Sequence, residues 1–319
     1  MSRWRAAAAL ALMGLLLAPA AWAQTKVRVG QPQAGTFQFV PLQVGVEAGL
    51  FKRHGVDVEV ASFAGGPRVQ QAIAAGSIDI GLGSGPELAL AAKGAPEIAV
   101  AAMADAPYSV LLATLKDSPI RTAADLKGKT ISISARGSLT DWLAHELSRL
   151  QGWGPDGIKI AALGSNPAQI AAFRTKQIDG FVADVALAYK LEEEGGGRIL
   201  VRFGDLVTDF HIHVIYASNK VIAEHPDRVR EFLAGWFDTI RFIRANKPVM
   251  VEAAARIMNL PDEIVSRTYD EVVPMFSETG RFDAKALAVL SRSFVQMNVL
   301  PAEPDMSKLY TEKYLPVPK

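Results

Sequence analysis

Polar and apolar positions alternate from Lys26 to Gly30 around Val27 and Val29, and this period of two predicts a first strand. A loop, Gln31 to Phe39, leads through Pro41 into a helix ending near Lys52, with Gly55 as its stop. Val56 to Ala61 predicts a second strand. Gly65-Gly66-Pro67 then opens a helix with proline in its first turn, where a missing N–H costs nothing. That helix ends at Gly76, Ile78 to Leu82 forms a third strand, and Gly83-Ser84-Gly85-Pro86 opens a helix that stops at Gly94.

The same order returns about a hundred residues later. Thr130 to Ser134, Ile158 to Leu163 and Ile178 to Ala183 predict strands; helices are expected over Leu139 to Leu150, from Asn166-Pro167, and from Val185 to Glu192. Ile78-Asp79 and Ile178-Asp179 mark the third strand of each copy, and the two aspartates are read as tying the helix-to-strand turn through backbone bonds. Strands alternating with helices predict an α/β protein with mostly parallel sheets flanked by helices. Two copies predict two lobes with a cleft between them, a common place for a small ligand.

Tyr108 to Leu115 and Ile212 to Ser218 are apolar, β-prone and belong to neither copy, so they are expected to be the two crossover strands of a hinge. On this reading residues 24–108 and 213–319 form a discontinuous first lobe and residues 109–212 the second. Beyond Asn219 the pattern becomes helical, and Phe232, Trp236, Ile240 and Ile243 recur at spacings that mark one buried stripe.

Residues 1–23 stand outside this pattern. Arg3 and Arg5, the apolar run Ala6 to Leu17 and the small-residue site Ala21-Trp22-Ala23 predict a secretory signal peptide cleaved after Ala23. The expected location is the periplasm of a two-membrane bacterium. There is no cysteine, which excludes disulfides, thiolate catalysis, cysteine-ligated metal and a lipid anchor on a cysteine after the leader. Lys and Arg total 34 against 33 Asp and Glu, so the basic footprint of a nucleic-acid partner is missing.

In open parallel sheets, ligands bind beyond the carboxyl ends of the strands. Here those ends run into glycine-rich or small-residue loops that start helices, and exposed N–H groups with the helix dipole favour an anion there. The candidates are Gly65-Gly66, Ser84-Gly85 and Arg136 to Thr140; Arg136, the only cation among them, is suited to pair with a sulfonate or carboxylate. Phe37, Tyr108 and Trp142 are candidates to pack the rest of such a ligand, with core packing the alternative for Trp142. Gly81-Leu82-Gly83-Ser84-Gly85-Pro86 misses the last glycine of a dinucleotide fingerprint, and Ser84 is not inside G-x-S-x-G. His211 and His213 lack a third ligand at metal-site spacing. The expectation is a binding protein, not an enzyme, with no cofactor and no metal.

Val46-Glu47-Ala48-Gly49-Leu50-Phe51, Gly55-Val56-Asp57-Val58-Glu59, Phe63-Ala64-Gly65-Gly66, Ala75-Gly76-Ser77-Ile78-Asp79-Ile80-Gly81, Gly83-Ser84-Gly85-Pro86, Asp125-Leu126-Lys127-Gly128-Lys129 and His225-Pro226-Asp227 together resemble the periplasmic solute-binding proteins of the sulfonate, taurine and nitrate group. The resemblance spans nearly the whole chain after the leader. It implies a two-lobed type II periplasmic binding fold that closes on a small-molecule ligand, acts as a monomer and delivers the ligand to the permease of an ABC importer with its cytoplasmic ATPase. Family ligand positions map onto Thr36, Phe37, Gly66, Ser84, Gly137, Thr140 and Asp184. The implied ligand is a small organic anion, with a pyrimidine precursor of thiamine as the alternative. One departure matters: taurine-binding relatives carry an aromatic residue where this chain has Ala183-Asp184, and an acid there would repel an anion or pair with an amino group. The absence of cysteine excludes the related fungal pyrimidine-synthesising enzyme.

Overall fold

Val27 and Val29 are fully buried in the first strand, as their alternation predicts. The structure, a computed structural model, describes residues 25–317, and the expected leader lies outside the described residues. The strands are β1 (Thr25–Gln31), β2 (Val56–Ser62), β3 (Ile80–Ser84), β4 (Glu97–Asp105), β5 (Val110–Leu115), β6 (Thr130–Ile133), β7 (Lys159–Ala162), β8 (Gly180–Asp184), β9 (Gly197–Arg202) and β10 (His211–Ser218). They form two five-stranded sheets, ordered β2-β1-β3-β10-β4 and β7-β6-β8-β5-β9. In each sheet the inner strands of the repeat pair in parallel, and one strand, β10 or β5, runs against its neighbours. The two-lobed α/β architecture follows directly.

The helices of the repeats are α1 (Val40–Glu47), α2 (Gly66–Ala74), α3 (Leu88–Ala92), α4 (Leu139–Leu150), α5 (Asn166–Arg174) and α6 (Val185–Glu193). The C-terminal part adds α7 (Asn219–Glu224), α8 (Pro226–Ala245), α9 (Lys247–Met258), α10 (Asp262–Val272) and α11 (Ala284–Gln296). Phe232, Trp236, Ile240 and Ile243 line the buried face of α8, and Phe232 stacks on Phe51 with ring centroids 5.2 Å apart.

Two expectations need correction. The apolar segments at 108–115 and 212–218 do not themselves cross between lobes: β5 lies wholly in the second sheet and β10 wholly in the first. The chain crosses in the short stretches 106–109 and 203–210. Furthermore, β4 and β9 were not foreseen. β4 is rich in alanine, a poor strand former, and is buried on both faces, so it carries no alternation.

Asp79 and Asp179 are structural, but they bond to the neighbouring strand instead of their own turn. The Asp79 carboxylate accepts the Arg28 backbone N–H at 3.0 Å while the Asp79 N–H donates to the Arg28 carbonyl at 2.8 Å. Asp179 makes the same reciprocal pair with Thr130, at 2.8 Å in both directions. Each staples the third strand of its lobe to the first, and so fixes where the following loop emerges.

Candidate functional site

All the parallel strands deliver their carboxyl ends to the space between the lobes. There the loops enclose a cavity of about 80 Å³. A water requires ~10–15 Å³, so the space suits a ligand on the order of six non-hydrogen atoms. The first lobe contributes Gln33, Thr36, Gln38 and Phe39 after β1, Gly65 and Gly66 after β2, Ser84 and Glu87 after β3, and His213 from β10. Ser134, Ser138, Leu139 and Thr140 come from the start of α4, Asn166 and Gln169 from α5, and Val110, Val182, Ala183 and Asp184 from the second sheet. The lobes touch across the cleft, where the Gln33 amide donates to the Gly164 carbonyl at 3.3 Å.

Of the residues singled out in the sequence, Thr36, Gly65, Gly66, Ser84, Ser138, Leu139, Thr140 and Asp184 meet in this cavity. The others lie elsewhere. Phe37 is fully buried in the core, and Phe39, two residues on, takes the lining position. A Cβ on Gly85 would overlap the His211 carbonyl and Leu290, so that glycine serves close packing. Gly137, at φ +74°, makes the turn before α4 and donates its N–H to Asp141 at 2.8 Å. The Arg136 side chain is 60% exposed and pairs with Asp141 at 3.4 Å. Trp142 stacks flat on Phe210 with centroids 4.2 Å apart, which makes it core, and Tyr108 is largely exposed against Gly204.

The loops are more self-sufficient than their glycines suggest. At the start of α4, Ser138 and Thr140 hydroxyls lie 3.0 Å apart, both reach Ser134, and Ser138 accepts the Asp141 N–H. At the start of α6, Asp184 caps the helix by accepting the Ala186 N–H at 3.0 Å. After β3, Glu87 accepts the Ser84 N–H at 2.7 Å. Its carboxylate fills a slot that only glycine permits, because a Cβ on Gly66 or Gly83 would overlap it. Sequence reading missed Glu87, although Ser84-x-x-Glu87 has the spacing of a capping box.

The electrostatics follow from burial. Burial pushes the Asp184 carboxyl up to about 7, opposed by the N–H groups of Ala186 and Leu187 and by the Gln38 amide. The Glu87 carboxyl is likewise pushed up to about 7 by burial, opposed by Ser84 and Gln70. Behind it Glu97 rises to about 8, through burial and then the charge of Glu87. Burial lowers His213 to about 4, so its ring is neutral. His211 bonds Asp105 at 2.7 Å and accepts the Asp283 N–H at 2.8 Å, a structural role for both ring nitrogens. Among the described residues no cluster of three or more His, Asp or Glu side chains could hold a metal ion.

The family model described as NMT1/THI5 like matches residues 36–247, well over half of the chain. An inferred binding protein of Brucella abortus is 27% identical over 219 residues, covering 68% of this chain and 67% of that one. The alkanesulfonate-binding protein of Xanthomonas axonopodis, solved with MOPS bound, superposes with a TM-score of 0.79 at 20% identity, covering 90% of this chain and 98% of that one. The periplasmic aliphatic sulphonate binding protein of Escherichia coli gives 0.73 at 22% identity, covering 90% and 92%. At these identities the solved structures show the shared fold.

Proposed function

The chain belongs to the NMT1/THI5-like family, and from that premise we propose that it is the substrate-binding component of an ABC importer. In this reading it works in the periplasm as a monomer, captures one small organic solute between its lobes, and hands it to the permease. One observation carries the reading: equivalent loops of both lobes converge on one cleft cavity sized for a small molecule. The solved relatives bound to or named for sulfonates support it. Among the described residues the hydroxyls of Ser134, Ser138 and Thr140 bond one another, an arrangement that serves binding better than nucleophilic attack.

Two ligand classes fit within this reading. A sulfonate or carboxylate has the support of the helix starts, the hydroxyl cluster and the relatives' names. An amino-bearing heterocycle has the support of the Asp184 carboxyl in the cavity wall. The test is to release whatever is retained by the protein purified from its own host and determine its mass. Returned to the empty protein at a hundred times its Kd, that molecule should raise unfolding free energy by about 2.7 kcal/mol and be recovered unchanged. A molecule recovered chemically altered would overturn the receptor reading in favour of an enzyme.

A further inference from the structure

We propose that Glu271 on α10 is a latch of lobe closure: its carboxylate, carried by the first lobe, grips Tyr189 and Arg202 of the second, and so sets how firmly the cleft holds a solute that Glu271 itself does not touch. Such a latch acts on the movement of the lobes, whichever solute the cleft takes, and so goes beyond the receptor reading above.

The grip lies where two helices from different lobes meet. In the first lobe α10 packs on α9 and on the segment Phe37–Phe39, and it also meets α6 of the second lobe. One oxygen of Glu271 accepts the Tyr189 hydroxyl, and the other accepts the Arg202 guanidinium at 2.6 Å. Arg202 also reaches the Tyr189 oxygen at 3.5 Å, which closes a triangle. The contact is doubled in the opposite sense: the guanidinium of Arg267, also on α10, lies 3.6 Å from the centre of the Tyr189 ring. Tyr189 is buried and the Glu271 and Arg202 side chains are partly so, and charge-assisted bonds in such a place are screened less than those of a surface pair.

The pair of Glu271 with Arg202 stands apart from the rest. Among the described residues every other ion pair joins two groups of the same lobe. The bond from Gln33 to the Gly164 carbonyl also crosses between lobes, but it is neutral and longer, at 3.3 Å. The cluster is tied to the cavity as well. Asp184, in the wall of the second lobe, caps the helix that carries Tyr189, and Phe39, in the wall of the first, ends the segment on which α10 packs. Parting the lobes would take Glu271 from both partners at once. An interaction present in the closed arrangement and absent from the open one shifts the population toward closure. A solute enclosed in the cavity then leaves only after the latch has broken.

The experiment reads the distance between the lobes in the exported chain, freed of any retained molecule by unfolding and refolding. Because the chain has no cysteine, Gln71→Cys on α2 and Ala171→Cys on α5, both exposed, place one spin label on each of two equivalent helices and nowhere else. This labelled pair is compared alone and together with Glu271→Gln or Tyr189→Phe, and urea unfolding confirms that each variant is folded. Glu271→Gln should lower the ratio of short to long distances about tenfold, and Tyr189→Phe, which loses only a hydroxyl, about threefold. The molecule retained from the host should leave Glu271→Gln about tenfold faster, with its rate of entry unchanged. Distances unaltered in both variants overturn the latch and leave the receptor standing, and so does release as slow as from the chain with Glu271 intact.

Discussion

The loops after the third strand look unlike in the two lobes and do the same work. Ser84-Gly85-Pro86-Glu87 reads as a glycine-rich anion cradle, and Asp184-Val185-Ala186 as an acidic helix start. In the structure both place a carboxyl at the start of the following helical segment, facing the cleft. In the second lobe the acid is the capping residue itself; in the first it arrives three positions later and folds back into a glycine slot. The lesson is physical. A loop of glycines at a helix start can be housing for the protein's own anion, and the space alone does not say whose anion fills it.

The comparison can be broken by filling the slot. Gly66→Val puts a branched side chain where the Glu87 carboxylate lies, and should cost about 3 kcal/mol in urea unfolding. Asn166→Val, at the corresponding start of α5, should stay within about 1 kcal/mol. Equal losses at the two positions would mean that the slot is not special.

The pH dependence sharpens the likeness. Glu87 and Asp184 rise to about 7 in the folded protein from 4.5 and 3.8, so the folded state holds the extra protons. This contribution is fully present below the unfolded values and is lost as pH rises through about 7, by on the order of 3–4 kcal/mol per group. His213, lowered from 6.5 to about 4, works the other way, and stability falls as pH drops through that window. Glu87→Gln and Asp184→Asn should each flatten the decline that ends near pH 7 by similar amounts, read from unfolding at pH 5, 6.5 and 8. A flattening confined to one variant would show that the lobes are not equivalent.

Smaller effects separate the two staples. Asp79 binds the Arg28 side chain as well as its backbone, at 2.7 and 3.1 Å, whereas Asp179 takes only the Thr130 N–H. Asp79→Ala should therefore cost about 2 kcal/mol and Asp179→Ala about 1 kcal/mol. Arg136→Ala should leave ligand affinity unaltered, because the exposed guanidinium lies outside the cavity, and should cost up to about 1 kcal/mol, because the buried Asp141 carboxylate keeps the Gly137 N–H and His145 as partners.

Much of the fold was legible in the sequence because burial imposes periodicity. The helix Leu139 to Leu150 matches α4 at both ends, and Ser138, Leu139 and Gly152 are its cap, start and stop. β4 escaped because alanine blunts the β signal, whereas Ile199-Leu200-Val201 in β9 was a usable signal left unread. The strand ends that carry Thr36, Gly66, Ser84, Thr140 and Asp184 into the cavity follow from topology. Side-chain direction was harder to read. Phe37 and Phe39 sit two apart with opposite fates, and Trp142 found Phe210, a partner from the distant crossing segment. Glu87 shows a signal that was present yet unused: its spacing from Ser84 is a capping box placed inside an otherwise apolar stretch.

The central claim is that side chains of both lobes, with Glu87 and Asp184 among them, hold one ligand in the cavity. A double-mutant cycle on the affinity of the molecule retained from the host tests it most directly, using wild type, Glu87→Gln, Asp184→Asn and the double variant. The account predicts that each single change weakens binding at least tenfold, and that the double variant loses less than the product, because closure on the ligand already fails when either contact is gone. A single variant that binds as wild type does would contradict it, since the ligand would then be held by one lobe alone.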